Sequence, residues 1–264
     1  MGELVQLEKA DGIATITLTN APANGYSYAM MRELDEAVLD VRMDTEVHAV
    51  ILTGAGEKFF CAGADIGELK AMTPDYKYAF CLHANETMLR LEQTPKLVIA
   101  ALNGHCVGGG LEVALACDLR VAREGKAKIG LPEVKLGVLP GTGGTQRLTR
   151  IVGQSAALEL MVTGRTFGVQ EATELGLVHE ALPGETAAEF LAEVRGYARR
   201  FVPPEGASLA VGLIKRAVKS GAELPLSEAL SLERELQQRL FTSSDAKEGI
   251  AANREKRLPQ FEGA

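Results

Sequence analysis

Residues 96–118 read KLVIAALNGHCVGGGLEVALACD, and the fold class follows from how that stretch divides. Lys96 to Asn103 is a short apolar run closed by Asn-Gly, the pattern of a strand buried on both faces. Gly108-Gly109-Gly110 interrupts the chain, and Leu111 to Cys117 then reads as an apolar helix carrying one acid, Glu112, in its first turn. Leu119 to Ala122 returns to strand character. Strand, glycine turn, helix, strand is the unit of an α/β domain whose central strands are parallel.

The same alternation extends outward. Upstream, Leu4–Glu8 and Ile13–Leu18 flank Ala10-Asp11-Gly12, a hairpin signal. Asn20 to Gly25 is a loop by composition. Met31, Leu34, Val38 and Val41 recur at helical spacing between Tyr28 and Asp44, and Val47 to Gly54 is another buried strand. A helix is predicted over 75–92. Downstream, strand signals stop after about Gly184, and Ala187–Phe201, Leu209–Ser220 and Ser227–Arg239 read as helices. The expectation is an α/β core over 1–201 and a helical region over 202–264.

Bulk properties narrow the function. The chain has 264 residues, 46 % of them apolar and 24 % charged, the mixture of a globular protein. The net charge of −7 argues against a nucleic-acid surface, which needs a basic face. No signal peptide and no apolar run of the ~20 residues needed to span a membrane is evident, which predicts a cytoplasmic protein with no membrane partner. Cys61, Cys81, Cys106 and Cys117 form no C-x-x-C pair and read as reduced, buried thiols. His48, His83, His105 and His179 show no ligand spacing, so no metal is expected.

Three segments can carry chemistry. A helix starting at the glycines 108–110 exposes unpaired N–H groups and the positive end of its dipole, a place for an anion or a developing oxyanion. The dinucleotide pattern fails there at Val113, and no Gly-Lys-Ser/Thr follows. The second cluster, Pro140-Gly141-Thr142-Gly143-Gly144-Thr145-Gln146, fails the dinucleotide pattern at Gln146. Glu112 alone is explained by the preference for acids in a first helical turn. Glu133, after Pro132 in an apolar loop, is costly unless paired or protonated, although a capping role also accounts for it. Together the two glutamates suit acid–base work. The third segment, Lys58 to Ile66, has small residues at 62–64 that permit close backbone approach; the plainer reading is a tight turn with Asp65 as a cap.

Taken together, CAGADI at 61–66, the 96–118 stretch, GLPEVKLGVLPGTGGTQRL at 130–148, TGRTFGVQEATELGLVHEAL at 163–182 and DAKEGIAANREKRLPQF at 245–261 resemble the crotonase (enoyl-CoA hydratase/isomerase) family, in the family's order and over nearly the whole chain. The resemblance is closest to short-chain enoyl-CoA hydratases. It implies a crotonase fold of repeated β-β-α units with a C-terminal helical region that builds trimers, usually stacked as hexamers. It implies acyl-CoA thioester substrates and no separate cofactor. It places the oxyanion-binding backbone N–H groups at Ala62 and Gly109, and the CoA site along Ala62, Gly63, Ala64, Asp65 and Ile66, with Lys58 and Lys256 for CoA phosphates. Glu112 maps onto the glutamate that activates water, and Glu133 onto the one that protonates the α-carbon. An isomerase of this fold works with the Glu133 position alone, and some members bind acyl-CoA or RNA without catalysis. Ala21-Pro22-Ala23-Asn24-Gly25-Tyr26-Ser27 departs from the family's usual Arg-Pro…Asn-Ala-Leu pattern, and the 122–127 loop is slightly long. Both departures bear on acyl-chain preference.

Overall fold

A computed structural model describes residues 2–64 and 66–264. The predicted hairpin forms from β1 (Val5–Ala10) and β2 (Ile13–Leu18). Its two-residue turn places Asp11 and Gly12 at φ 52° and 75°, the left-handed pair that matches strand twist. Parallel strands follow: β3 (Ala49–Gly54), β5 (Leu97–Leu102), β7 (Leu119–Arg123) and β9 (Glu180–Leu182). They complete a six-stranded sheet in the order β1-β2-β3-β5-β7-β9, in which only β1 runs antiparallel to its neighbour.

Every residue of β3 and β5 is buried, because both faces of the sheet are covered. Val50, Leu52, Val98, Ala100 and Leu102 face a large core that includes the inner stripe of helix α1 (Tyr28–Met43) and residues of α3 (Pro74–Gln93). The alternate residues, Ala49, Ile51, Leu97, Ile99 and Ala101, pack with Phe190, Val194 and Ala198 of α8 (Ala187–Arg199). Helices α9 (Ser208–Gly221), α10 (Leu226–Phe241) and α11 (Ser244–Glu255) follow. A buried ion pair fixes α9 to the sheet: Lys215 Nζ lies 2.7 Å from Asp118 Oδ2 and donates to the Lys96 carbonyl at 2.9 Å. Burial pushes the Asp118 carboxyl up and the Lys215 ammonium down, so each charge depends on the other.

A second sheet escapes the sequence pattern. It consists of β4 (Phe59–Cys61), β6 (His105–Val107) and β8 (Ile129–Gly130), all parallel, in the order β4-β6-β8. At two or three residues each, these strands are too short to show a period. Their carboxyl ends open onto three segments: Ala62–Ala64, the start of α4 (Gly109–Ala116), and the 3-10 turn Glu133–Leu136. The small sheet thus gathers the three chemically promising stretches. Helices α2 (Ile66–Ala71), α5 (Gly144–Val152), α6 (Gln154–Thr163) and α7 (Val169–Glu174) complete the fold. Among the described residues, no helix is long and apolar enough to cross a membrane.

Candidate active site

All eight residues of α4 are buried, Glu112 included at 2 % exposure. A buried carboxylate needs hydrogen-bond donors, and the 140–144 turn supplies them. Glu112 Oε1 accepts from the backbone N–H groups of Thr142 and Gly144, each at 2.8 Å. Glu112 Oε2 accepts from the Thr142 hydroxyl. Gly144 is the first residue of α5, so the carboxylate also sits at that helix's positive end. Glu112 lies in the first turn of one helix and caps another.

Glu133 has the opposite surroundings. It is half-buried, and its Oε2 lacks any hydrogen-bond partner among the described residues. Burial pushes its carboxyl up to about 7; the negative charge of Glu112 adds to the rise, while its own N–H and the Lys77 ammonium oppose it. A side chain at Gly108, the residue capping α4, would come within 3.2 Å of Glu133 Oε1. The Glu133 carboxyl therefore approaches the cap of α4, the helix whose first turn carries Glu112. One is encircled by donors and the other is bare.

The expected backbone donors divide. Gly109 is the first residue of α4, so its N–H has no acceptor within the helix. A side chain at Gly63 (φ 88°) would lie 2.9 Å from that nitrogen, so glycine there keeps it accessible. Ala62 corrects the sequence expectation: its N–H donates to the Ala23 carbonyl at 3.0 Å and is already used. The sequence gives no sign that the 21–27 segment crosses over this turn. Ala64 lies next along it in a parallel bridge with Tyr26, and Tyr26 N–H donates to the Gly63 carbonyl at 2.9 Å. Tyr26 bonds to Gly63, and in a parallel bridge of this register the bridged residue's own N–H faces the other side, so Ala64's N–H points away from Tyr26.

The remaining candidates are scattered. Lys58 is exposed, with its ammonium 5.3 Å from the Phe59 ring centroid, and Lys256 is exposed at the end of α11. Asp65 lies outside the described residues, and of Ile66 only its place at the start of α2 is described. Three cysteines are buried; Cys81 is partly exposed. Burial pushes the Cys61 thiol up to about 12, which suits the small packing residue predicted there and not a nucleophile. Sequence reasoning missed Thr142, Gly144 and Tyr26. The first two stood in a glycine cluster tested only against nucleotide motifs.

The Enoyl-CoA hydratase/isomerase family model matches residues 8–264. A short-chain-enoyl-CoA hydratase of Clostridium acetobutylicum is 39 % identical over 96 % of this chain and 95 % of its own length. A crotonyl-CoA hydratase of Syntrophomonas wolfei is 37 % identical over 98 % of both chains. The crystal structure of an enoyl-CoA hydratase from Geobacillus kaustophilus superposes with a TM-score of 0.95 at 46 % identity, covering 100 % of this chain and 98 % of that one. Likeness that runs the length of both the sequence and the backbone leaves one assignment: the chain belongs to the enoyl-CoA hydratase/isomerase family.

Proposed function

We propose that this protein is a 2-enoyl-CoA hydratase, adding water across the 2,3 double bond of an acyl-CoA thioester to give the 3-hydroxyacyl thioester. The observation that carries this reading is a pair of interacting carboxyl groups with opposite surroundings, Glu112 held by donors at the start of α5 and Glu133 bare beside the cap of α4. Glu112 is met by donors alone, a set that an ionised carboxylate accepts in full. Glu133, pushed up to about 7, keeps a proton available near neutrality.

In the forward direction Glu112 takes a proton from water as the oxygen bonds to C3. The π electrons move through C2 onto the thioester oxygen, and the resulting enolate takes the Glu133 proton at C2. The proton held by Glu112 is later returned to Glu133 through solvent, and the reverse reaction exchanges the roles. Negative charge grows on the thioester oxygen, where backbone N–H groups and the α4 dipole stabilise it. We assign those groups to Gly109 and, because the Ala62 N–H is occupied, to Ala64. The chemistry requires no metal or further cofactor. CoA would lie along the 62–66 turn, with Lys58 and Lys256 meeting its phosphates. Exposed apolar residues on α9 and α10, among them Ile214, Val218, Leu226 and Phe241, support self-association, and the family resemblance makes that a homotrimer or a dimer of trimers. A cytoplasmic place in fatty-acid β-oxidation is consistent with this substrate.

The test is loss of conjugated-thioester absorbance on incubation with crotonyl-CoA, with 3-hydroxybutyryl-CoA identified by mass. Glu112→Gln and Glu133→Gln should each abolish it. A Glu112→Gln variant that keeps 3-enoyl to 2-enoyl isomerisation as the main activity would move the assignment to an isomerase working through Glu133 alone.

A further inference from the structure

Tyr26 and Thr142 are sealed in the protein at 2 % and 1 % exposure, beside the reactive groups but not among them. They lie 116 residues apart, and their hydroxyl oxygens are 2.9 Å from one another. Proton counting fixes the direction. A threonine hydroxyl has one proton, and Thr142 gives it to Glu112 Oε2. The Tyr26 hydroxyl must then donate to Thr142. Burial, and next the charge of Glu112, push the Tyr26 phenol well above its usual range, so it stays a donor.

Tyr26 also touches the other two turns of the site. Its N–H holds the Gly63 carbonyl, and its ring edge fills the space a side chain at Gly109 would need. The ring stacks on Phe80 with centroids 5.7 Å apart and planes at 18°. One residue therefore meets all three segments: its backbone holds the 62–64 turn, and its ring and hydroxyl meet the start of α4 and the 140–144 turn. It lies in the 21–27 segment that departs from the family pattern. A carboxylate offers about four acceptor sites. Among the described residues Oε1 takes two donors and Oε2 takes one, which leaves one site, on Oε2, for a water.

We propose that Tyr26 and Thr142 are positioning residues, a relay of two hydroxyls that locks the Glu112 carboxylate in one orientation and aims the open site of Oε2 at the attacking water. The catalytic consequence rests on the hydratase reading; the anchoring of Glu112 does not.

The test uses Tyr26→Phe, Thr142→Val, Thr142→Ser and the double variant Tyr26→Phe/Thr142→Val. On crotonyl-CoA, Thr142→Val should lower kcat roughly tenfold or more with KM within about twofold, the loss expected for one buried hydrogen bond to a charged group. Thr142→Ser should restore most of it. Tyr26→Phe should lower kcat by roughly threefold, and the double variant should be no slower than Thr142→Val within about twofold, because Tyr26 acts through the threonine hydroxyl. Losses that multiply in the double variant, or an unchanged kcat in Tyr26→Phe and Thr142→Val, overturn the relay. A second readout stands apart from activity: amide hydrogen exchange of Thr142 and Gly144 in the unliganded protein. Both should exchange faster in Tyr26→Phe and Thr142→Val, while β3 amides keep their rates. Unchanged exchange in both variants refutes the anchoring. Faster exchange in a protein whose wild type never hydrates crotonyl-CoA supports the anchoring and refutes the hydratase reading.

Discussion

Replacing Glu133 by Gln fixes that side chain in its neutral form and should make the protein more stable than wild type at alkaline pH. In the folded protein burial raises the carboxyl from 4.5 to about 7. An acid raised on folding binds more protons folded than unfolded between those two values. Its contribution is fully present below 4.5 and is lost as pH rises through 7. At ~1.4 kcal/mol per unit the whole shift corresponds to about 3 kcal/mol, and solvent at the half-buried site reduces this to about 2 kcal/mol. The stability of Glu133→Gln minus that of wild type should therefore grow by about 2 kcal/mol between pH 5 and pH 8 and then level off. Urea unfolding at fixed protein concentration across that range measures it. In the proposed mechanism the same proton is delivered to C2, so wild-type kcat/KM for hydration should fall about tenfold per unit above pH 7. Parallel stability curves for the two proteins, with a rate flat to pH 9, would refute the placing of a proton on Glu133.

Other perturbations probe separate parts of the same arrangement. Gly109→Ala drives a methyl into the Tyr26 ring edge beside the backbone donor, so kcat should fall at least about 10²-fold, together with a lowered Tm; a near-wild-type enzyme would remove Gly109 from the oxyanion site. Lys215→Met leaves the Asp118 carboxylate buried without its nearest cation and should destabilise the protein by about 3 kcal/mol at pH 8. Because burial already raises Asp118, that loss should shrink in acid, and a pH-independent loss would count against the pairing. Lys58→Ala should raise KM for CoA thioesters roughly threefold while leaving the N-acetylcysteamine thioester, which has no phosphates, unchanged. Equal effects on both substrates would remove Lys58 from the phosphate site.

The first five strands of the large sheet were legible because they obey simple rules, whereas β9, three half-buried residues, was not. β3 and β5 are continuous apolar runs, and the Asp11-Gly12 turn carries the left-handed pair that its composition calls for. Helices α1, α3, α8, α9 and α10 showed either a packing stripe or length. The small sheet has neither property, so the element that assembles the site was invisible even though all three of its outlets had been noticed as glycine-rich or acidic turns. The Ala62 expectation failed for a related reason. A sequence shows which turns have small residues, but not which of their N–H groups another segment has already taken, and Ala23 takes this one. Thr142 and Tyr26 escaped because their roles depend on contacts across 116 positions. The same gap hid α5, whose glycine start serves as the cap for a carboxylate on another helix.

The two glutamates illustrate how far chemistry is set by what surrounds a residue. Glu112 stands two residues after Gly110 and Glu133 directly after Pro132, each in an apolar stretch, one in the first turn of α4 and the other beside its cap. On those features alone either could serve as acid or base. The difference comes from the 140–144 turn, which gives two amides and a hydroxyl to Glu112 and leaves Glu133 Oε2 bare. A donor-rich shell stabilises the charged form and an apolar one the neutral form. Ionising Glu112 also raises the cost of ionising Glu133, since its charge is among the causes of the upward shift. Near neutrality the bare Glu133 carboxyl is therefore the one that keeps a share of its proton, which is the proton the proposed mechanism delivers to C2. The turn that makes this division is built from Gly141-Thr142-Gly143-Gly144, a cluster whose glycines resemble a phosphate loop but whose donors are directed inward, at a carboxylate of the protein itself.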